Sequence, residues 1–186
     1  MDDRIVDLRA AGAAAYEQAA ELLVTEFAKQ YPDAWPTIES ARQEVEECLA
    51  PDYVARGALG DDGALVGWIG GRPSYRGRVW ELHPLVVRQD HQGRGIGSTL
   101  VRDLERLVLA AGAHTLWVGV DDTDDGTSLS GVDLYEDLPG KLASFENRGG
   151  HQVAFYQRFG FVLTGVMPDS GGVGKPDIFL AKRIGR

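Results

Sequence analysis

Apolar residues follow a helical spacing over residues 13–30, where Tyr16, Ala19, Ala20, Leu23 and Phe27 fall on one stripe. Residues 4–9 precede it as a short strand carrying Ile5, Val6 and Leu8. Tyr31-Pro32-Asp33-Ala34-Trp35-Pro36 ends the helix, because two prolines within five residues cannot continue it. A second helix is expected from Ser40, where Ser40-Ala41-Arg42-Gln43 has the form of a capping box. Its stripe is Ala41, Val45, Cys48 and Leu49. Residues 53–60 and 64–71 read as strands joined by the turn Asp61-Asp62-Gly63, and 79–87 as a longer strand pairing with them. A glycine-rich turn then leads into an amphipathic helix over 98–111, buried through Leu100, Leu104, Leu107 and Val108. Residues 115–120 form the next strand. The stretch 121–146 is acidic and irregular, with a short helix around Leu134. Residues 153–159 read as the last helix, followed by strands near 161–167 and 177–182.

This order is mixed α/β, an antiparallel meander feeding a strand–turn–helix–strand unit whose right-handed crossover places strands 79–87 and 115–120 parallel and adjacent. A length of 186 residues predicts one domain over 1–186, burying roughly 70% of its unfolded surface. Charged residues at 25% and hydrophobic ones at 44% exclude global disorder. The 28 acidic residues outnumber the 19 basic ones, a formal net charge of -9, which argues against nucleic acid and favours a cationic or neutral partner. No apolar run approaches a membrane span, and Met1-Asp2-Asp3-Arg4 lacks a signal-peptide pattern, so a cytoplasmic location without membrane partners is the expectation. Cys48 is the single cysteine and is expected in the core, leaving no internal disulfide and no cysteine-based metal site.

Gln92-Gly93-Arg94-Gly95-Ile96-Gly97 lies directly between a strand and a helix. Glycines permit the tight turn, and the unpaired N–H groups of the helix start make an anion site suited to a pyrophosphate. The spacing is G-x-G-x-G rather than the dinucleotide-binding G-x-G-x-x-G. Gly174-Lys175 is followed by Pro176, not by the Ser or Thr of a phosphate-binding P-loop. Taken alone, the loop leaves a ligand-free turn open.

What remains, Q/R-x-x-G-x-G/A after a strand, resembles the coenzyme A pyrophosphate loop of the GNAT superfamily of N-acetyltransferases. Trp80-Glu81-Leu82-His83-Pro84-Leu85-Val86-Val87 is similar to that fold's central strand. Phe155-Tyr156-Gln157-Arg158-Phe159-Gly160-Phe161 resembles its FYxxxGF motif. The usual Asn lies seven residues before that tyrosine, whereas Asn147 lies nine before Tyr156. A closer resemblance is to the aminoglycoside 6'-N-acetyltransferases. It is carried by residues 81–87, by Asp121-Asp122-Thr123-Asp124-Asp125-Gly126-Thr127, and by Gly165-Val166-Met167-Pro168 through Gly174-Lys175-Pro176-Asp177-Ile178. Trp35-Pro36 and Glu44-Val45-Glu46-Glu47 extend it toward the N-terminus.

The resemblance implies a GNAT acyltransferase fold, with a mixed sheet of six to seven strands and about four helices, and acetyl-CoA as cosubstrate. It implies acetylation of the 6'-amine of aminoglycosides and hence antibiotic resistance. Other polyamines, small-molecule amines or protein amines remain alternative acceptors, and a non-catalytic coenzyme A-binding module is a third reading. The cofactor would meet Gln92, Gly93, Arg94, Gly95, Ile96, Gly97 and Ser98, the backbone of Leu85, Val86 and Val87, and Asn147 and Tyr156. Glu81 is the leading base candidate, or else a ligand of the substrate ammonium. His83 follows it on the same side of the strand. Pro84 cannot donate to a sheet ladder, so a bulge is expected near Leu85, freeing an N–H to polarise the thioester carbonyl. Tyr156 resembles the acid that protonates the leaving thiolate, with Phe155 and Phe159 beside it expected as core. Trp35, Tyr75, Glu81, Asp121, Asp122 and Asp177 are the candidate substrate ligands. The family often forms homodimers, which makes a homodimer an expectation too. Asp121-x-Thr123-x-Asp125-Gly126 lacks a third-position carboxylate and has Val132 where a calcium loop needs Glu, and the four histidines are scattered, so no metal is implied.

Overall fold

The two spacings fold as seven strands and five α-helices in the computed structural model, which describes residues 4–185. They run β1 (Arg4–Asp7), α1 (Ala13–Phe27), α2 (Ile38–Cys48), β2 (Val54–Leu59), β3 (Leu65–Ser74), β4 (Val79–Val87), α3 (Ile96–Ala110), β5 (Thr115–Asp121), α4 (Leu138–Ala143), α5 (Val153–Gln157), β6 (Val162–Met167) and β7 (Asp177–Arg183). Packing separates two compact units, residues 4–114 with Gly185 and residues 115–184.

In the first unit, β1 to β4 form an antiparallel meander. Gly63, at φ +80°, closes the expected turn between β2 and β3. Helices α1 and α2 cover one face through Ala19, Ala20, Leu23, Ala41, Val45 and Cys48, packed with Trp68 and Val86. Trp68 anchors this layer by donating its indole N–H to the Ala19 carbonyl at 3.1 Å. Helix α3 packs against the meander as well, and a side chain at Gly71 would meet Leu104 of α3 at 2.6 Å.

Helix α2 starts earlier than its sequence suggests. Thr37 is the N-cap: its hydroxyl accepts from the Ser40 N–H at 3.1 Å, and the Ser40 hydroxyl accepts from the Thr37 N–H at 3.3 Å. Ser40 therefore completes the box as its third helical residue. Helix α3 likewise begins at Ile96 rather than Ser98. The short helix expected around Leu134 forms later, at Leu138–Ala143, behind an Asp137 cap that accepts from the Gly140 N–H.

In the second unit, β5, β7 and β6 pair antiparallel in that order. Leu116, Val118, Val120, Ile178 and Leu180 are buried, and on another face Trp117 meets Phe179 edge-on at 5.8 Å. Helix α5 packs on β7. Among the described residues, no helix is long and apolar enough to cross a membrane.

Candidate active site

Between β4 and α3 the chain turns through Gly93 at φ +74° and Gly95 at φ +92°. Nothing lies within 4 Å of a β-carbon built at either, so backbone conformation rather than crowding selects glycine here. Gly95 is the N-cap of α3 and no side chain caps it. The N–H groups of Ile96, Gly97 and Ser98 thus lack intrahelical partners, and a diphosphate suits their partial positive charge. Gln92 donates its side-chain N–H to the Val87 carbonyl at 2.9 Å, which ties the loop to the end of the strand.

Strand β4 carries the expected bulge. Ile69 pairs with Leu85 but Gly71 pairs with Leu82, so β4 supplies one residue more than β3 across this step. The cis peptide His83–Pro84 lies within it. Gly70 faces the bulge, where any β-carbon would collide with the His83 carbonyl oxygen. Glu81 pairs across the strands with Arg72, which itself meets Glu44 of α2, and His83 also meets Glu44, so Glu81 and His83 share the face toward the α2 layer. Leu85 pairs with Ile69, and the extra residue returns Val86 to the side of Trp68. Trp35 packs tilted against the His83 ring at 5.9 Å and edge-on to Phe27 at 4.7 Å, which gathers Trp35 and His83 around one face. Tyr75 is not gathered with them: it is 78% exposed at the tip of the β3–β4 hairpin.

In the second unit, Asp121 and Asp177 stand directly opposite each other in the β5–β7 register. Asp122, the next residue, is 0% exposed. Its carboxylate accepts from the Gly126 N–H at 2.7 Å and the Thr127 hydroxyl at 2.6 Å, and lies 3.6 Å from His151 Nε2. Asp122, expected as a substrate ligand, is thus buried and bonded within the acidic loop, which it braces. Asp125 pairs with Lys175 at 2.7 Å and accepts from the Ser130 hydroxyl at 2.6 Å; these bonds hold its carboxyl below the usual range. Asn147 is also engaged locally, accepting from the Gly149 N–H at 3.0 Å and donating to the His151 carbonyl at 3.4 Å.

Tyr156 is 5% exposed on α5, edge-on to Phe155 at 5.1 Å and 5.7 Å from Phe161. Phe155 and Phe159 are only half-buried, the reverse of the order expected from their chemistry. Tyr156 is the residue of α5 that meets Phe161, itself buried.

Two residues of this arrangement had no assigned role in the sequence reading. Glu44, its side chain 13% exposed, contacts Arg72, Cys48 and His83 with one oxygen, the last at 3.6 Å. Burial raises its carboxyl, but His83, Arg72 and Cys48 outweigh that and hold it at about 2, against an ordinary 4.5. Burial, reinforced by Glu44, pushes the Cys48 thiol up to about 12, so this cysteine stays a protonated core residue. The sequence signals for Glu44 are its place in the Glu44-Val45-Glu46-Glu47 stretch of the resemblance and its spacing one turn before Cys48. The second residue is His151, buried beside Asp122.

Because the Glu44 carboxyl is depressed in the folded state, its stabilisation is present above pH 4.5 and lost as pH falls toward 2. Allowing for partial solvent screening, this amounts to roughly 2 kcal/mol. Glu44→Gln should be less stable than wild type at pH 7, and the gap should close on acidification through that window. Denaturant unfolding followed by circular dichroism at each pH checks this; a gap that is constant down to pH 2 contradicts it.

No curated protein sequence matches the chain. Solved structures do. An aminoglycoside 6'-N-acetyltransferase complexed with coenzyme A is 38% identical, with a TM-score of 0.87 and 97% of each chain covered. The aminoglycoside 6'-N-acetyltransferase from Enterococcus faecium is 38% identical at a TM-score of 0.86, again over 97% of each chain. Aminoglycoside 6'-acetyltransferase type Ii is 30% identical at 0.71, with the same coverage. The profile of the acetyltransferase (GNAT) family matches residues 16–138, a span holding β4 and the glycine loop. On this match and this likeness, the seven strands and five helices are a GNAT fold and the chain belongs to the GNAT acetyltransferase family.

Proposed function

We propose that this protein transfers the acetyl group of acetyl-CoA to the 6'-amine of aminoglycosides. The observation that carries the reading is the 38% identity over 97% of both chains to a 6'-N-acetyltransferase complexed with coenzyme A, which extends well beyond the glycine loop. When bound, acetyl-CoA supplies an activated thioester carbonyl and a thiolate leaving group. The α3 N-terminus, with Gly93 to Ser98, binds the diphosphate, while the backbone of Val86 and Val87 aligns the pantetheine arm. The Leu85 N–H polarises the carbonyl oxygen as charge builds on it. Glu81 accepts the proton released as the nitrogen–carbon bond forms and the carbon–sulfur bond breaks, and Tyr156 donates one to the sulfur. His83, held between Glu44 and Trp35, shares the face of Glu81 and is the alternative proton acceptor in its place.

Acceptor choice rests on charge. Asp121 and Asp177 place two carboxylates opposite each other in the β5–β7 register, and an aminoglycoside carries several ammonium groups. Incubation with acetyl-CoA and kanamycin should yield one acetyl group by mass spectrometry, located by NMR on the 6'-nitrogen. Acetylation at another position, or none, rejects the assignment.

A further inference from the structure

The mechanism above leaves the buried imidazole of His151 unused. It is 8% exposed and lies between the end of β5 and the start of α5, all within residues 115–184. Its Nε2 stands 2.8 Å from the Asp121 carbonyl oxygen, and its Nδ1 3.4 Å from the Val153 N–H. A carbonyl only accepts and an amide N–H only donates, so these partners require a neutral ring with its proton on Nε2. Asp122, 3.6 Å from the same nitrogen, supports that proton. Gly126 lies against the ring and leaves room for it, since a β-carbon built there would meet its Cδ2 at 2.7 Å. The His151 carbonyl in turn accepts from Ala154, and Gln152 accepts from Tyr156, so the first turn of α5 is built directly on this residue.

We infer that His151 is a positioning residue that holds the Asp121 end of β5 and the Tyr156 helix in register, with one ring nitrogen assigned to each. It deepens the proposed function and rests on that reading, since Asp121 is there an acceptor ligand and Tyr156 the acid. Nothing about the ring touches substrate. Its effect passes through the two residues it spaces.

Two isosteric variants separate the two halves. His151→Asn keeps an acceptor near Nδ1 and loses the donor to Asp121. His151→Gln keeps a donor near Nε2 and loses the acceptor for Val153. With acetyl-CoA and kanamycin, the Asn variant should raise the kanamycin KM ~3–10-fold with little change in kcat, as expected for one lost hydrogen bond. The Gln variant should lower kcat by ~3–10-fold with little change in kanamycin KM. Wild-type constants in both variants, or the same proportional loss in both constants of both, overturns the inference. Amide hydrogen exchange reads the same coupling without turnover: faster exchange at residues 121–127 in the Asn variant and at 153–157 in the Gln variant. If wild type fails to acetylate kanamycin, the proposed function fails, and unchanged exchange in both segments separately overturns the role of His151. Should neither variant fold, nitrogen-15 NMR of wild type decides, because a His151 proton on Nδ1 is incompatible with this arrangement.

Discussion

Glu81→Gln should lower acetyl transfer ~10²–10⁴-fold, the span of a positioned general base. The substitution keeps size and shape and removes only charge and basicity. Glu81 is half-buried on β4 opposite Arg72, and the Arg72 guanidinium is already paired with Glu44, so the fold should survive the change. The expected loss is in kcat with the acetyl-CoA KM unchanged. Tyr156→Phe deletes a single donor and should cost less, because a thiolate is already a fair leaving group. Its loss should be steepest where the departing group most needs a proton. Steady-state kinetics across pH separate the possibilities for Glu81. A raised acceptor KM with unchanged kcat makes Glu81 an ammonium ligand rather than a base. Full turnover of both variants at every pH removes both residues from the chemistry.

Gly95→Asp should weaken acetyl-CoA binding by ~10–100-fold. At φ +92° an ordinary L-residue is strained by ~1–2 kcal/mol, and the space around Gly95 is open, so the variant should fold with reduced stability. The added carboxylate then sits at the N-cap of α3, where it competes with the diphosphate for the same N–H groups. A like charge at about 5 Å in a partly solvated setting opposes the diphosphate by ~1–3 kcal/mol. Gly95→Ala separates the two effects: it carries the backbone strain without the charge and should bind acetyl-CoA more tightly than the Asp variant. Calorimetric titration with acetyl-CoA measures both. Unchanged affinity in a folded Asp variant would remove the loop from the cofactor site.

The features legible in the chain itself are those set by neighbouring residues. Gly93 and Gly95 are needed because the turn takes positive φ, and that requirement is local. Pro84 announces a bulge because it cannot donate to the ladder, and the register slips there as expected. The stripes of α1, α2 and α3 follow from 3.6-residue periodicity, and their buried residues agree with it. Boundaries were less legible. Thr37 and Ser40 both suit an N-cap, and the choice fell to Thr37 because Ser40 then serves as the reciprocal partner.

Tertiary structure decided the fate of side chains whose neighbours say nothing about their solvent. Asp121 and Asp122 are adjacent and chemically identical, yet Asp121 is exposed at the strand end while Asp122 is enclosed by Gly126, Thr127 and His151. Glu44 gains its low carboxyl pKa from Arg72 and His83, which lie on two strands brought over α2. His151 acquires its role only because β5 returns Asp121 to within 2.8 Å of its ring from thirty positions earlier. Backbone conformation and amphipathic period are local properties, written in consecutive residues. Desolvation and hydrogen-bond partnership depend on segments far apart in the chain, and folding alone brings those together.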